Sequence, residues 1–360
     1  MYYPPSGVYN DSYAKDITVV RTGFQWVMLT LLIVTLIALP LFPFTSNYIL
    51  RVAIDAFIVL IAVHGINIVT GFCGQITLGQ AAFMILGGYI AGILAQEYHL
   101  NFWLTLPASI AGCVIIGVIF AIPSAKVKEM YLALVTLAAH FIIVWACLYL
   151  PGIFGTVHWG ATGLSLEPAS FAGIVFNSAF KFYYLALGFA ILMTFVTKCI
   201  ARSGLGRAFI AIRDNDKAAE ATGININYYK LVAFGICSAY AAIAGTLSAY
   251  YMGWISTEAM SLTDTVWMVG MVIVGGIGTT VGPIFGAIFL LLLKQGMLLT
   301  APIVERSLTF IGVGGIGSGG GLLILVFGVV ILLFIIFEPR GIAHRWTIIK
   351  SSIRLWHIAY

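Results

Sequence analysis

Four ionisable side chains lie inside or beside long apolar runs of this 360-residue chain, where such a group is a functional suspect by default. Asp55 and His64 are nine residues apart, which on a helix is a turn of about 900° and puts them on opposite faces, so they do not form a pair. Asp55 is read either as reaching outer headgroups or as functional, and His140 either as bonded to a neighbouring helix or as a proton relay. Lys294 can carry its charge to the outer surface along its own stem. More informative are two glycine-rich breaks. The first runs Thr70 to Gln80 (TGFCGQITLGQ) and the second Gly275 to Pro283 (GGIGTTVGP). Broken helices in comparable places expose backbone amides and carbonyls at a transport site. Small residues also allow close helix packing, or mark a tight turn. Gln75 and Gln80 offer side-chain amides where a turn needs none, so the candidate substrate path is Gly74, Gln75, Gly79 and Gln80 with Gly275, Gly276 and Gly278.

Enzymatic signatures are missing from the sequence. It has no G-x-x-x-x-G-K-[ST] phosphate loop, no H-E-x-x-H, no G-x-S-x-G and no pair of embedded acids, and no residue is assigned a catalytic role. Cys73, Cys113, Cys147, Cys199 and Cys237 are scattered without a C-x-x-C pair, so neither a metal site nor a disulfide framework is expected.

The elements that must hold these residues follow from composition. With 61% hydrophobic and 9% charged residues and a mean hydropathy of +1.05, the chain is neither a water-facing globule nor disordered. Lipid admits only helices or a closed barrel, and continuous apolar runs without alternation select helices. An all-α polytopic membrane protein is therefore expected, with about ten transmembrane helices at 24–42, 50–70, 79–96, 102–123, 130–150, 183–200, 231–252, 266–281, 283–301 and 321–337. The third, eighth and ninth are glycine-rich, which admits a break or a re-entrant passage. Residues 1–23 form a polar amino-terminal segment, not a cleavable signal; 24–337 form the transmembrane domain and 338–360 a basic tail.

With the amino terminus placed inside, 14 of the 18 basic residues fall on inner segments, which puts both termini in the cytoplasm and makes the net charge of +5 a topology signal that needs no nucleic acid. One inner loop, residues 201–230, mixes polar and apolar positions at helical spacing. Asp214 or Asp216 is suited to cap a short helix over Lys217–Thr222, with Gly223 where it would stop. A helix of two turns is marginal alone in water. It either packs on the inner ends of its own spans or docks on a cytoplasmic partner.

At this point the residues resemble a known family. GFCGQITLGQAAF (71–83), YLALVTL (131–137), LGRAFIAIRDNDKAAEATGIN (205–225) followed by Tyr229–Lys230–Leu231, VGGIGTTVGPIFGA (274–287) and F-x-P-R-G (337–341) are similar, in that order, to the branched-chain amino-acid ABC importer permeases of the LivM-like kind. The resemblance covers about residues 50 to 345. It implies a permease subunit in a bacterial or archaeal cytoplasmic (inner) membrane, paired with a homologous LivH-like permease chain. Two cytoplasmic ATPases that bind ATP and Mg, and an external or periplasmic solute-binding protein, complete such an importer. This chain itself would carry no cofactor. The coupling helix would be 214–223, with Arg213, Asp214, Asp216, Lys217, Ala218, Ala219, Glu220 and Gly223 facing the ATPase; Lys217 stands where the importer pattern E-A-A-x-x-x-G has its acid. Gln80 likewise stands where the family often has His, and Ala139–His140 where a Gly and an acid are common. Relatives that carry urea, short amides or aromatic acids, and a stand-alone secondary carrier, a channel or a membrane enzyme, are the alternatives.

Overall fold

The computed structural model describes residues 23–42, 46–125, 129–149, 163–171, 174–310, 319–338 and 340–355. The readings made for residues 1–22 and for Lys126 and Lys128 lie outside the described residues.

Apolar runs become helices in order: α1 (Gly23–Ala38), α2 (Asn47–Ile66), α3 (Gln80–Glu97), α4 (Phe102–Ala125), α5 (Glu129–Tyr149), α6 (Ala179–Arg202), α7 (Gly204–Asp214), α8 (Asp216–Ala221), α9 (Ile226–Met252), α10 (Leu262–Gly275), α11 (Gly282–Phe310), α12 (Gly319–Phe337) and α13 (Gly341–Leu355). The β structure among the described residues is two antiparallel pairs of two-residue strands, β1 (Leu164–Ser165) with β4 (Trp254–Ile255), and β2 (Ser170–Phe171) with β3 (Ile174–Val175).

Two helices form the centre. In the most apolar stretch of α9, 78% of the residues are buried, and in α2 with its extension to Phe72 61%, against 28–33% in α4, α5, α6 and α11. Between helices in lipid the hydrophobic effect gives little, so close backbone contact through small residues must do the holding. A Cβ on Gly245 of α9 would lie 1.9 Å from the Met84 carbonyl oxygen of α3, and one on Gly117 of α4 would lie 2.0 Å from Ser238 Oγ. Hydroxyl pairs pin the same packing, with Ser109 and Thr246 2.8 Å apart and Thr197 2.9 Å from the Tyr240 hydroxyl. The peripheral helices turn apolar rows outward, Leu104, Ile115, Ile119 and Ile122 on α4 and Leu134, Phe141 and Trp145 on α5.

The protein is thus an all-α, multi-pass membrane protein. Among the described residues six helices are long and apolar enough to cross, and a seventh if α12 and α13, bent by 46° at Gly341, count as one span. Each of the ten expected segments contains a helix, but several are shorter or more polar than a crossing requires. α10 has 14 residues, about 21 Å, because the backbone at Gly276 (φ +119°) leaves the helical region. That helix was expected to reach residue 281. α3 begins only at Gln80 and closes on Gln96 and Glu97. The tail, expected as a basic segment, is helical from Gly341.

Candidate functional site

The loop after α6 folds into two helices. Ser203 caps α7, its hydroxyl accepting from the Gly206 amide, and the α7 residues Phe209 and Ile212 are buried, Phe209 edge-on to Tyr229 at 6.2 Å. This amphipathic helix lies within the stretch of helical spacing but was not named from it. The N-cap of α8 is Asn215, not Asp214 or Asp216: its Oδ1 accepts from the Ala218 amide at 3.2 Å. The aspartates do other work. Asp216 accepts from the buried Lys230 ammonium at 3.0 Å, and Asp214 accepts from Arg213. At the other end the Gly223 amide donates to the Glu220 carbonyl (2.9 Å) and the Ile224 amide to the Ala219 carbonyl (3.1 Å), with Gly223 at φ +86°. That is a Schellman stop, which a glycine takes most readily. The helix is therefore defined at both ends. It buries Ala219 and leaves Lys217, Ala218, Glu220 and Gly223 exposed.

The first glycine break starts as a π turn, Asn67–Phe72, extending α2, and continues without regular structure to Gly79. Its polar groups are met by other helices. Thr136 of α5 accepts from the Leu78 amide (3.0 Å), and Thr265 of α10 accepts from the Ala81 amide (3.0 Å). Gln80 donates to the Ala62 carbonyl of α2 (3.0 Å) and accepts from the Cys237 thiol of α9 (3.0 Å), so its amide is engaged inside the protein. Gln75 is buried and its Oε1 has no partner among the described residues, and Gly79 packs with a would-be Cβ 3.3 Å from the Thr136 carbonyl.

The second break is a compact turn between α10 and α11. The Thr279 hydroxyl donates to the Gly276 carbonyl (3.0 Å) and accepts from the Gly282 amide (2.9 Å). Gly275 is pressed against the start of α11, where a Cβ would lie 2.0 Å from the Gly282 carbonyl oxygen.

The fold brings the two breaks together. Asn67, fully buried, donates from Nδ2 to the Thr279 carbonyl (2.8 Å) and accepts at Oδ1 from the Gly278 amide (3.1 Å). Gly71 and Gly278 touch backbone to backbone: a Cβ on Gly71 would lie 2.5 Å from Gly278 N. Arg213 reaches the same point, Nη1 donating to the Gly71 carbonyl at 3.0 Å. Gly71, Gly74, Gly276 and Gly278 thus share one end of the bundle with the α7–α8 loop and the start of α13, whereas Gly79 and Gln80 stand at the start of α3, against α5, α2 and α9. Sequence reasoning did not single out Asn67 or assign Lys230 a role. A lone Asn inside an apolar run, four residues before Gly71, is the signal that marks the first.

The two intramembrane histidines differ in their surroundings. His64 Nε2 lies 3.1 Å from Thr194 Oγ1, whose own hydrogen goes to the Ala190 carbonyl at 2.7 Å, so His64 Nε2 is the donor. His140 Nδ1 is buried without a partner among the described residues, and the ring stands edge-on to Phe141. Asp55 lies on α2 and Lys294 on α11.

Residues 48–337 match the family described as branched-chain amino acid transport system / permease component. The chain is 28% identical over 297 residues to the high-affinity branched-chain amino acid transport system permease protein LivM of Escherichia coli K12, covering 76% of this chain and 68% of that one. It is 29% identical over 250 residues to the probable branched-chain amino acid transport permease protein LivM of Methanocaldococcus jannaschii, 69% of each. A shorter stretch, 105 residues at 30% identity and 28% of this chain, is similar to the autoinducer 2 import system permease protein LsrC of Photorhabdus laumondii. No solved structure matches significantly.

Proposed function

Since the chain belongs to the branched-chain amino-acid transport permease family, we propose that it is the membrane-spanning permease subunit of an ABC importer for branched-chain or other hydrophobic amino acids. The family match over most of the chain carries this reading, and the stoppered helix α8 with an outward polar face supports it. The chain is a transport subunit, not an enzyme. Energy would come from ATP and Mg held by two partner ATPases. A LivH-like permease chain would complete the path, and an external solute-binding protein would deliver the solute.

In this reading the ten helical segments make about ten crossings or re-entrant passages through the cytoplasmic membrane, with residues 1–23, the loop 201–230 and the tail 338–360 inside. Lys217, Ala218, Glu220 and Gly223 are the exposed face offered to an ATPase groove, with Asp214 and Asp216 at its edge. Closure of the ATPases on ATP would displace α8 and through it the bundle. The pathway role of Gly74, Gln75, Gly79, Gln80, Gly275, Gly276 and Gly278 is part of the same proposal: backbone dipoles freed at the breaks are suited to the charged ends of a zwitterion. A second reading changes only the solute, and the partial likeness to an autoinducer 2 permease favours keeping it.

The test is reconstitution in proteoliposomes with the partner ATPases and binding protein. Uptake should require ATP, and replacing Asp214–Glu220 by alanine should leave the chain inserted while uptake stops. Uptake without nucleotide by the chain alone, or unchanged uptake in the replaced variant, overturns the assignment.

A further inference from the structure

The loop that carries α8 meets the two glycine breaks through one side chain. Arg213 divides its guanidinium: Nη1 donates to the Gly71 carbonyl at 3.0 Å, while Nε and Nη2 donate to Asp214 Oδ1 at 3.1 and 3.0 Å. Its stem and head occupy a slot made by two missing side chains. A Cβ on Gly74 would lie 2.8 Å from Arg213 Cγ, and a Cβ on Gly278 would lie 2.7 Å from Arg213 Nη1. Asn67 already ties the first break to the second at that spot. Two residues along the chain from Arg213, Asn215 caps α8, and Asp216 is held by Lys230 of the central helix α9. A displacement of α8 must therefore pull on Asp214 and on the guanidinium it shares with the breaks.

We propose that Arg213 is a positioning residue of the transport cycle: it transmits movement of α8 to both glycine breaks and, in this conformation, latches them together. Arg213, which the sequence places in the coupling set, thereby also serves the breaks. The inference rests on the reading of α8 as the ATPase dock. Its chemistry needs Arg specifically, since one planar fork serves a carbonyl and a carboxylate at once, and a lysine ammonium cannot hold both in that geometry.

The natural thiol of Cys73 reports on the latch. It lies between Gly71 and Gly74, is 2% exposed, and burial pushes its pKa up to about 12, so it should resist thiol reagents at neutral pH. The experiment uses the full complex in proteoliposomes and compares wild type, Arg213→Ala and Arg213→Lys. Three quantities are read: ATPase retained on co-purification, solute moved per ATP hydrolysed, and modification of Cys73 by a membrane-impermeant maleimide applied from the ATPase side, located by mass spectrometry. With ATPase retained, Arg213→Ala should lower solute per ATP by about ten-fold, within the usual range of coupling between sites, and Cys73 should label without nucleotide. Arg213→Lys should fall between the two. An unchanged ratio with Cys73 still protected overturns the proposal. If Arg213→Ala fails to assemble, Arg213→Lys decides alone by the same ratio. A merely structural role would reduce the amount assembled and leave the ratio of the remainder unchanged. Failure of the importer reading itself is separate, because it shows in the wild type as ATP-independent uptake.

Discussion

The two glycine breaks look alike in sequence and are built in opposite ways. The second, 275–283, is tied largely from within: Thr279 serves both the Gly276 carbonyl and the Gly282 amide, α10 and α11 close on each other over bare backbone, and Asn67 adds a bridge from outside. The first, 70–80, is suspended. Its amides and its glutamine are held by Thr136, Thr265, Ala62 and Cys237 from four different helices. A self-contained turn moves as a unit. A suspended segment moves only when the helices around it shift or exchange its hydrogen bonds. The pair therefore reads as a rigid pawl set against a strand hung between helices, and the contact between them is where one would act on the other.

The largest effect that would break this comparison falls on the contact. Gly278 has φ +75°, and a Cβ there would lie 2.7 Å from Arg213 Nη1 and 2.8 Å from the Gly71 carbonyl oxygen. Gly278→Ala therefore adds about 1–2 kcal/mol of left-handed strain to a clash that separates the breaks. Uptake by the reconstituted complex should fall to background, with protein still in the membrane. Uptake near wild type would show that the two breaks need not touch.

Next comes Asn67→Leu, which fills similar space but strips the bridge. The Gly278 amide and Thr279 carbonyl lose their shared partner, at about 1–3 kcal/mol for each group left unpaired. Thermal melting of the detergent-purified complex should drop by several degrees, and solute moved per ATP should fall with it. A variant that melts like wild type would mean that water replaces the amide and that the bridge is dispensable.

How much of this was legible beforehand depends on range. The helices followed from apolar runs, and the stop at Gly223 from a glycine placed after an amphiphilic turn, because both are local. The cap was misplaced by one residue: Asn215 is flanked by two aspartates equally suited to capping, and only the ion pairs to Arg213 and Lys230 take those aspartates away. Helix α7 carries a clear amphipathic pattern over 204–214, with Phe209 and Ile212 on its buried side, and reading 201–230 as one mixed loop passes over it. The meeting of Gly71 with Gly278, some two hundred residues apart, leaves no mark in spacing.

The smallest effect sharpens the comparison by holding strain constant. Gly223 has φ +86°, close to that of Gly278, but a Cβ there meets nothing within 4 Å. Gly223→Ala therefore adds strain without a clash, about 1 kcal/mol, which is a factor of about five in the stability of the α8 stop. The helix would fray at its carboxyl end while the breaks stay latched. The expected outcome is a modest loss of ATPase retained on co-purification, with Cys73 still protected and solute per ATP unchanged for the complexes that remain. If Gly223→Ala instead uncoupled transport as fully as Gly278→Ala, left-handed backbone strain alone would account for both. The contact between the breaks would then lose its special standing.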